Sequence, residues 1–277
     1  MKKIVLSSLC LLWVGNCLFA QNSLQQYTPS ILLNKGQMEL KVFNNLYTQT
    51  KVRDEDGTNI ELGERQSFLN NQIRYLYGLS KEARFNIGLE TNLTTAWYGS
   101  ESSDLMFTSI GPTLKFVPIK NLGNFSVQST FLFPLNRDDL EKPFINHNRY
   151  TWWTQFFYDH SINSKLNLFL EADLIYRFAV EDYQNDFFRT PLSLIVSYFP
   201  TSKLTLYTNV QYAPAYGKLP GVEDIEFGRM RWFTQLGLGT KYLIQSNLEL
   251  ELSYANFVLS KRDGAGSVYN FGIRFLR

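Results

Sequence analysis

Apolar and polar side chains alternate along about a dozen segments of this chain. Between Phe85 and Trp97 every second residue is apolar or threonine, and the residues between them are small, polar or acidic. A period of two predicts a β-strand with one apolar and one polar face. The pattern predicts twelve strands, near residues 37–49, 67–79, 84–98, 105–118, 124–135, 149–160, 165–179, 190–199, 203–213, 229–243, 247–259 and 267–277.

Short and long connections alternate between these strands. The short ones lie near residues 80–82, 118–123, 161–164, 200–202 and 244–246, and the long ones near 50–66, 99–104, 136–148, 180–189, 213–228 and 260–266. Bacterial outer-membrane barrels have short periplasmic turns and long external loops, whereas a soluble sandwich has no reason to separate the two kinds. We therefore expect an all-β fold, a 12-stranded antiparallel transmembrane up-and-down β-barrel over residues 37–277.

The first twenty residues have the features of a secretory signal peptide. Lys2 and Lys3 precede an apolar stretch over residues 4–14, and residues 18–20 offer a cleavage site. A retained helical anchor is the alternative, but the stretch is shorter than the roughly 20 residues that a bilayer requires. Cys10 and Cys17 leave with the signal, so no disulfide is expected. Residues 21–36 are predicted to be a short periplasmic segment, with a partial plug of the lumen as the alternative.

Composition supports a membrane-spanning barrel and gives no sign of a nucleic-acid partner. Aromatic residues make up 16% of the chain, which suits a lipid-facing band with aromatic girdles. No later apolar run has the length of a membrane helix, so a spanning structure has to be a closed sheet. The 27 basic and 25 acidic residues balance once the two signal lysines are removed, and nothing indicates a nucleic-acid partner.

Two segments resemble known outer-membrane barrels. Residues 269–277 (YNFGIRFLR) resemble the terminal strand of Gram-negative barrels, and residues 35–50 (KGQMELKVFNNLYTQT) resemble the first strand of uncharacterised barrels common in Bacteroidota. The resemblance implies a location in the cell outer membrane and recognition by the barrel-assembly machinery. It implies no substrate. Outer-membrane lipid and lipopolysaccharide are the surroundings we expect.

The alternation also sorts side chains between lipid and lumen, because a charge facing the bilayer midplane costs about 2–4 kcal/mol. One set of inward charges falls on four neighbouring strands if the barrel closes last strand to first. This set consists of Glu39, Lys41, Lys241, Glu249, Glu251 and Arg274. Ion-pair ladders and a solute pathway are both compatible with it.

A second inward set is expected toward the external mouth and in the lumen below it. These constriction candidates are Arg149, Arg177, Arg229, Arg231, Glu171 and Asp173. Arginine binds anions through fixed donor forks, so an anion-selective constriction is one interpretation of the set. Alternatively, acidic residues of the long loops, such as Asp54 and Glu55, fold down and neutralise the arginines as a structural latch.

Catalysis is not expected. His147 and His160 are predicted at opposite ends of the barrel and cannot form one dyad. No metal-ligand spacing or nucleotide motif occurs, so we predict no metal site, no cofactor and no enzyme activity. The sequence favours a narrow channel for small polar or anionic solutes. The alternative is a non-conducting accessory subunit that binds protein partners in a secretion, assembly or uptake complex.

Overall fold

The computed structural model describes residues 30–102, 105–135, 149–179, 186–217 and 228–277. Long strands dominate these residues. They are β1 (Met38–Arg53), β2 (Asn59–Gly78), β3 (Phe85–Tyr98), β4 (Met106–Phe116), β5 (Phe125–Pro134), β6 (Thr151–Asn163), β7 (Leu166–Arg177), β8 (Phe187–Arg189 and Leu192–Tyr198), β9 (Leu204–Gly217), β10 (Gly228–Gln245), β11 (Leu248–Lys261) and β12 (Ser267–Leu276). Two short strands, Glu101–Ser102 and Asp263–Gly264, extend the edges of β3 and β1.

Each strand pairs antiparallel with its neighbours in sequence, and the last strand pairs with the first. In this closing pair Glu39 lies opposite Leu276 and Thr48 opposite Ser267. The predicted 12-stranded antiparallel barrel is therefore confirmed. Closure gives every strand a partner on both sides, which satisfies backbone donors and acceptors without an exposed edge. Among the described residues, no helix is long and apolar enough to cross a bilayer.

Burial alternates along the strands as the sequence pattern predicts. On β7, Leu170 and Leu174 are exposed on the outer surface, whereas Asn167 and Asp173 are buried inside. On β11, Leu252 is exposed and Glu249 is buried. Leucine outside and carboxylates inside is the reverse of a soluble protein, and it suits a wall between hydrocarbon and a polar interior.

Two elements differ from the expectation. Residues 50–66, predicted as a loop, are mostly a hairpin, because β1 and β2 continue past a register shift between Gln49 and Lys51. The eighth strand is interrupted at Thr190 and Pro191, since proline has no N–H for the ladder. The carbonyl of Pro191 still accepts from the N–H of Asp173, at 2.9 Å, so the wall stays joined there.

The two ends of the barrel differ in what they carry. The terminal end holds the start of β1, the end of β12 and the short turns, and the loop end holds the long connections. Several expectations fall outside the described residues. They concern the predicted signal peptide, residues 21–29, His147, and the acidic residues of the long loops Asp138, Asp139, Glu141, Glu223, Asp224 and Glu226.

Candidate functional site in the barrel lumen

Three arginines converge on one buried phenyl ring inside the loop end. The guanidinium carbons of Arg177, Arg189 and Arg231 lie 5.5, 5.8 and 5.0 Å from the centre of the Phe187 ring. Phe187 is only 8% exposed, and its face attracts cations through the ring quadrupole. Three like charges therefore lie close together around one aromatic ring.

One carboxylate partly balances this arginine cluster. Asp263 accepts a hydrogen bond from Arg189, at 3.0 Å. The Nε atoms of Arg177, Arg189 and Arg231 are buried and have no hydrogen-bond partner within the described residues. Arg149 lies close enough for its charge to act on Arg177. The three guanidinium groups with one paired carboxylate leave the cluster with an excess of positive charge.

Arg229 lies elsewhere than expected. A register shift between Ala215 and Tyr216 places Arg229 opposite Tyr216, and its guanidinium donates to the hydroxyl of Tyr212, at 3.2 Å. Tyr212 is on the outer face, where its ring is 5.8 Å from that of Trp232. The expectation that Arg229 faces the lumen is wrong, because one bulged residue reverses the alternation at the start of β10.

An apolar cluster fills the other side of the lumen near the loop end. The rings of Phe233 and Phe257 stack with centres 4.2 Å apart, and Tyr47 is 5.2 Å from Phe257. Phe68 is fully buried in the same cluster. Arg189 joins the two sides, since its guanidinium carbon lies 5.2 Å from the centre of the Phe233 ring. The apolar cluster and the arginine cluster are therefore in contact at this level of the barrel.

Side-chain amides and one ion pair line the lumen side of β2, β3 and β5 to β7. Arg74 pairs with the fully buried Glu90, with Nη2 and Oε2 2.7 Å apart. Gln155 donates to Glu171, at 2.7 Å, and accepts from Gln128, at 2.9 Å. These bonds run from strand to strand around the wall, so most polar groups here already have partners.

Asp173 is an exception in this layer. It is 6% exposed, lies beside Glu171, and its Oδ1 has no hydrogen-bond partner within the described residues. The two carboxylates face the lumen below the arginine cluster. They do not belong to that cluster, although the sequence pattern predicts them in the same constriction.

The inward charges expected on four neighbouring strands meet at the terminal end. Glu251 lies between two lysines, with Oε2 3.8 Å from Nζ of Lys241 and 4.0 Å from Nζ of Lys41. It also accepts from the hydroxyl of Tyr207, at 2.7 Å. Arg274 pairs with Glu249, at 3.1 Å.

Glu39, the sixth member of this set, is buried on β1, opposite Leu276 of β12. Charge pairs of this kind stabilise a lumen wall. The set has three cations and three carboxylates, so the layer is formally neutral, with both lysines placed around Glu251.

A cavity of about 180 Å³ opens between these two charged layers. Its wall carries hydrogen-bonding groups from β9 to β12, among them Tyr207, Asn209, Gln235, Lys241 and Asn270. Glycines make room for it: a Cβ added to Gly239 would lie 2.5 Å from the hydroxyl oxygen of Tyr207. The cavity can hold a small polar molecule in contact with amides, a phenol and an ammonium group.

The sequence pattern misses Arg189, Asp263 and Phe187 as members of the site. It predicts a loop over residues 180–189, and alternation carries no information within a loop. Expected latch residues also take other partners. Asp54 Oδ1 accepts from the N–H groups of Asp56 and Thr58, and Glu55 pairs with Arg262, so neither carboxylate neutralises the arginine cluster.

The structure describes one of the two histidines considered for catalysis. His160 is exposed at the end of β6 that faces the terminal end, and His147 lies outside the described residues. Among the described residues, no group of three or more histidines, cysteines or carboxylates is placed to hold a metal ion.

Comparisons with known proteins find the fold but no family. No protein-family description matches the chain, and no curated protein is similar in sequence. Solved structures do match. The COG4313 outer membrane channel from Pseudomonas putida F1 has a TM-score of 0.71 at 13% identity, covering 90% of this chain and 97% of that one. The β domain of the Bordetella autotransporter BrkA has a TM-score of 0.58 at 10% identity, covering 87% and 99%.

These identities establish the fold alone. The chain is a closed β-barrel of the outer-membrane type, and its structural neighbours include outer-membrane channels. The comparisons therefore show the β-barrel architecture of this chain and nothing about its role. They do not identify a solute.

Proposed function

We propose that this protein is a narrow outer-membrane channel for small polar solutes, with a preference for anions. The arginine cluster around Phe187 carries the proposal. Three guanidinium groups with one paired carboxylate leave a positive excess where a solute enters from outside. An incoming carboxylate, sulfate or phosphate would replace part of its hydration shell with guanidinium donors.

The layers below suit a solute that moves in steps. Past the arginines it meets the polar cavity, whose amide and hydroxyl groups exchange hydrogen bonds with a small molecule. Lys241 and Glu251 line this cavity, and Lys41 lies next to Glu251. Several sites of moderate affinity along the path favour passage, because a solute has to bind well enough to enter and weakly enough to leave.

Reversal potentials in a salt gradient test the proposed selectivity. Purified protein is inserted in planar bilayers, and the Cl⁻ to K⁺ permeability ratio is compared for wild type, Arg231→Gln and Arg177→Gln. We expect an anion preference that falls toward unity in both variants. Arg229→Gln is the matched control, because this arginine of the same strand lies on the outer face. Equal ratios in wild type and Arg231→Gln would contradict the proposal.

The alternative is a non-conducting accessory subunit. The filled terminal end of the lumen favours it, because Leu33 is fully buried there among Leu76, Leu243 and Leu276. Under this alternative a variant with the terminal end opened shows no conductance steps at any voltage. A stoichiometric protein partner then copurifies in mild detergent.

A further inference from the structure

We propose that residues 30–34, named here the floor segment, form a displaceable plug that closes the terminal end of the lumen. The inference rests on the proposed channel function, since a plug matters only if solute passes. The floor segment precedes β1 and lies inside the barrel rather than in its wall. Leu33 is 0% exposed, and Leu32 is 3% exposed.

The contacts of the floor segment reach around much of the barrel. Leu33 belongs to one apolar cluster with Leu76 of β2, Leu243 of β10 and Leu276 of β12. All three partners are inward-facing residues near the terminal end of their strands. On the other side, Ser30 donates a hydrogen bond to the carboxylate of Asp159 on β6. A five-residue segment that touches strands on opposite sides has to cross the opening.

Buried polar side chains of the barrel wall form hydrogen bonds with the backbone of the floor segment. Lys115 of β4 donates from Nζ to the carbonyl of Ile31, at 3.0 Å. The amide of Asn86 accepts from the N–H of Leu33, at 3.0 Å, and donates to its carbonyl, at 3.1 Å. Asn86 is fully buried and Lys115 nearly so. Buried polar groups of a barrel wall that bond to a peptide backbone form a built site for that peptide.

One glycine shows how closely the floor segment passes the wall. A Cβ added to Gly78 would lie 2.0 Å from the carbonyl oxygen of Asn34 and 2.8 Å from that of Leu33. A methyl group does not fit at either distance. The sequence of β2 therefore leaves space for the backbone of this segment at the point where it leaves the barrel.

The same contacts indicate that the plug is displaceable. The floor segment forms no β-ladder with the wall, and it joins β1 through a turn at Gly36, where φ is +86°. Its polar partners are a lysine, an aspartate and an asparagine, which water can solvate when the lumen opens. Outward rotation about this turn would clear the terminal end while all twelve strands keep their pairing.

Cysteine accessibility and conductance together test the plug. Cys10 and Cys17 are the only cysteines of the sequence, and both precede the described residues, so both are changed to serine. In this background Leu33→Cys should resist a membrane-impermeant maleimide. Ile31→Cys, at a residue 37% exposed, should react and serves as the labelling control. Adding Gly78→Ala to Leu33→Cys should increase the labelling rate of the introduced thiol at least tenfold.

Conductance is then measured for wild type, Gly78→Ala and Leu33→Asp. We expect both variants to raise the mean single-channel conductance several-fold, with heat-modifiable migration on gels reporting an intact barrel. Gly123→Ala is the matched control at the same end, since nothing lies within 4 Å of its added Cβ. It should match wild type in both labelling and conductance.

The possible failures are distinguishable. If wild type and Gly78→Ala conduct equally while Leu33→Cys is freely labelled in the Gly78→Ala background, the floor segment is not a plug. The proposed channel function is then unaffected. Free labelling of that thiol with no conductance in any variant overturns the channel and the plug with it. Labelling of Leu33→Cys at the rate of Ile31→Cys, without Gly78→Ala, overturns the placement of the floor segment itself.

Discussion

Arg74 and Glu90 form a two-point ion pair between β2 and β3, with Nε 2.9 Å and Nη2 2.7 Å from Oε2 of the carboxylate. Glu90 has no exposed surface, and Gln72 donates to its second oxygen, at 2.8 Å. A carboxylate that is fully removed from water has lost its hydration, and only such partners compensate for that loss.

Replacing Arg74 by Met should therefore lower the free energy of unfolding by about 3–5 kcal/mol, the cost of leaving a buried charge unpaired. Urea unfolding in lipid vesicles measures it. The double variant Arg74→Met/Glu90→Gln should recover much of the loss. Lys51→Met is the control, because it breaks an exposed pair with Glu61, with Nζ and Oε1 3.6 Å apart, and should cost less than about 1 kcal/mol. Equal losses in the two single variants would refute this assignment.

Glu251→Gln should make the lumen more cationic, because it leaves Lys41 and Lys241 without the carboxylate between them. We expect a higher Cl⁻ to K⁺ permeability ratio in the reversal-potential assay, greatest at low salt where screening is weak. Glu61→Gln, on the exposed part of the β1–β2 hairpin, should leave the ratio unchanged. A fall in the ratio on Glu251→Gln would contradict the proposed anion pathway.

Gly111→Ala should destabilise the wall between β4 and β5. Its Cβ would lie 1.8 Å from the carbonyl oxygen of Phe131, so the two strands would have to separate. We expect a loss of about 1–3 kcal/mol in the free energy of unfolding, as for other overpacked sites. Gly123→Ala should stay within about 0.5 kcal/mol of wild type. Unfolding curves that coincide for the two variants would show that the strands can relax there.

Acid should weaken one contact at the loop end. The hydroxyl of Tyr176 donates to Asp186, and this hydrogen bond holds the pKa of that carboxyl below its ordinary value. A carboxyl with a lowered native pKa stabilises the fold above its unfolded pKa, about 3.9, and the contribution is lost as pH falls through the native value.

Tyr176→Phe should therefore raise the pKa of Asp186, measured from the carboxyl carbon by NMR titration in detergent. Tyr242→Phe, at the terminal end, is the control and should leave the titration unchanged. An unaltered Asp186 titration in Tyr176→Phe would show that the hydroxyl does not hold the carboxylate.

Much of the fold could be predicted because a barrel wall repeats one local rule. The alternation placed Leu170 outside and Asp173 inside, and all twelve predicted strands are present. The rule fails where the repeat is interrupted. One bulged residue near the start of β10 places Arg229 on the outer face. At Pro191 the ladder is interrupted, so the short strand with Phe187 and Arg189 lies within a predicted loop.

By itself the sequence determined the strand number, the inside and outside of each strand, and the set of charges that meet at the terminal end. Only the tertiary structure decided which arginines share the Phe187 ring, that aromatic rings fill the other side of the lumen, and that residues 30–34 lie in the opening. The physical reason is distance along the chain. Alternation is set between neighbouring residues, whereas Leu33 meets Leu243 and Leu276 only after closure of the sheet joins β12 to β1.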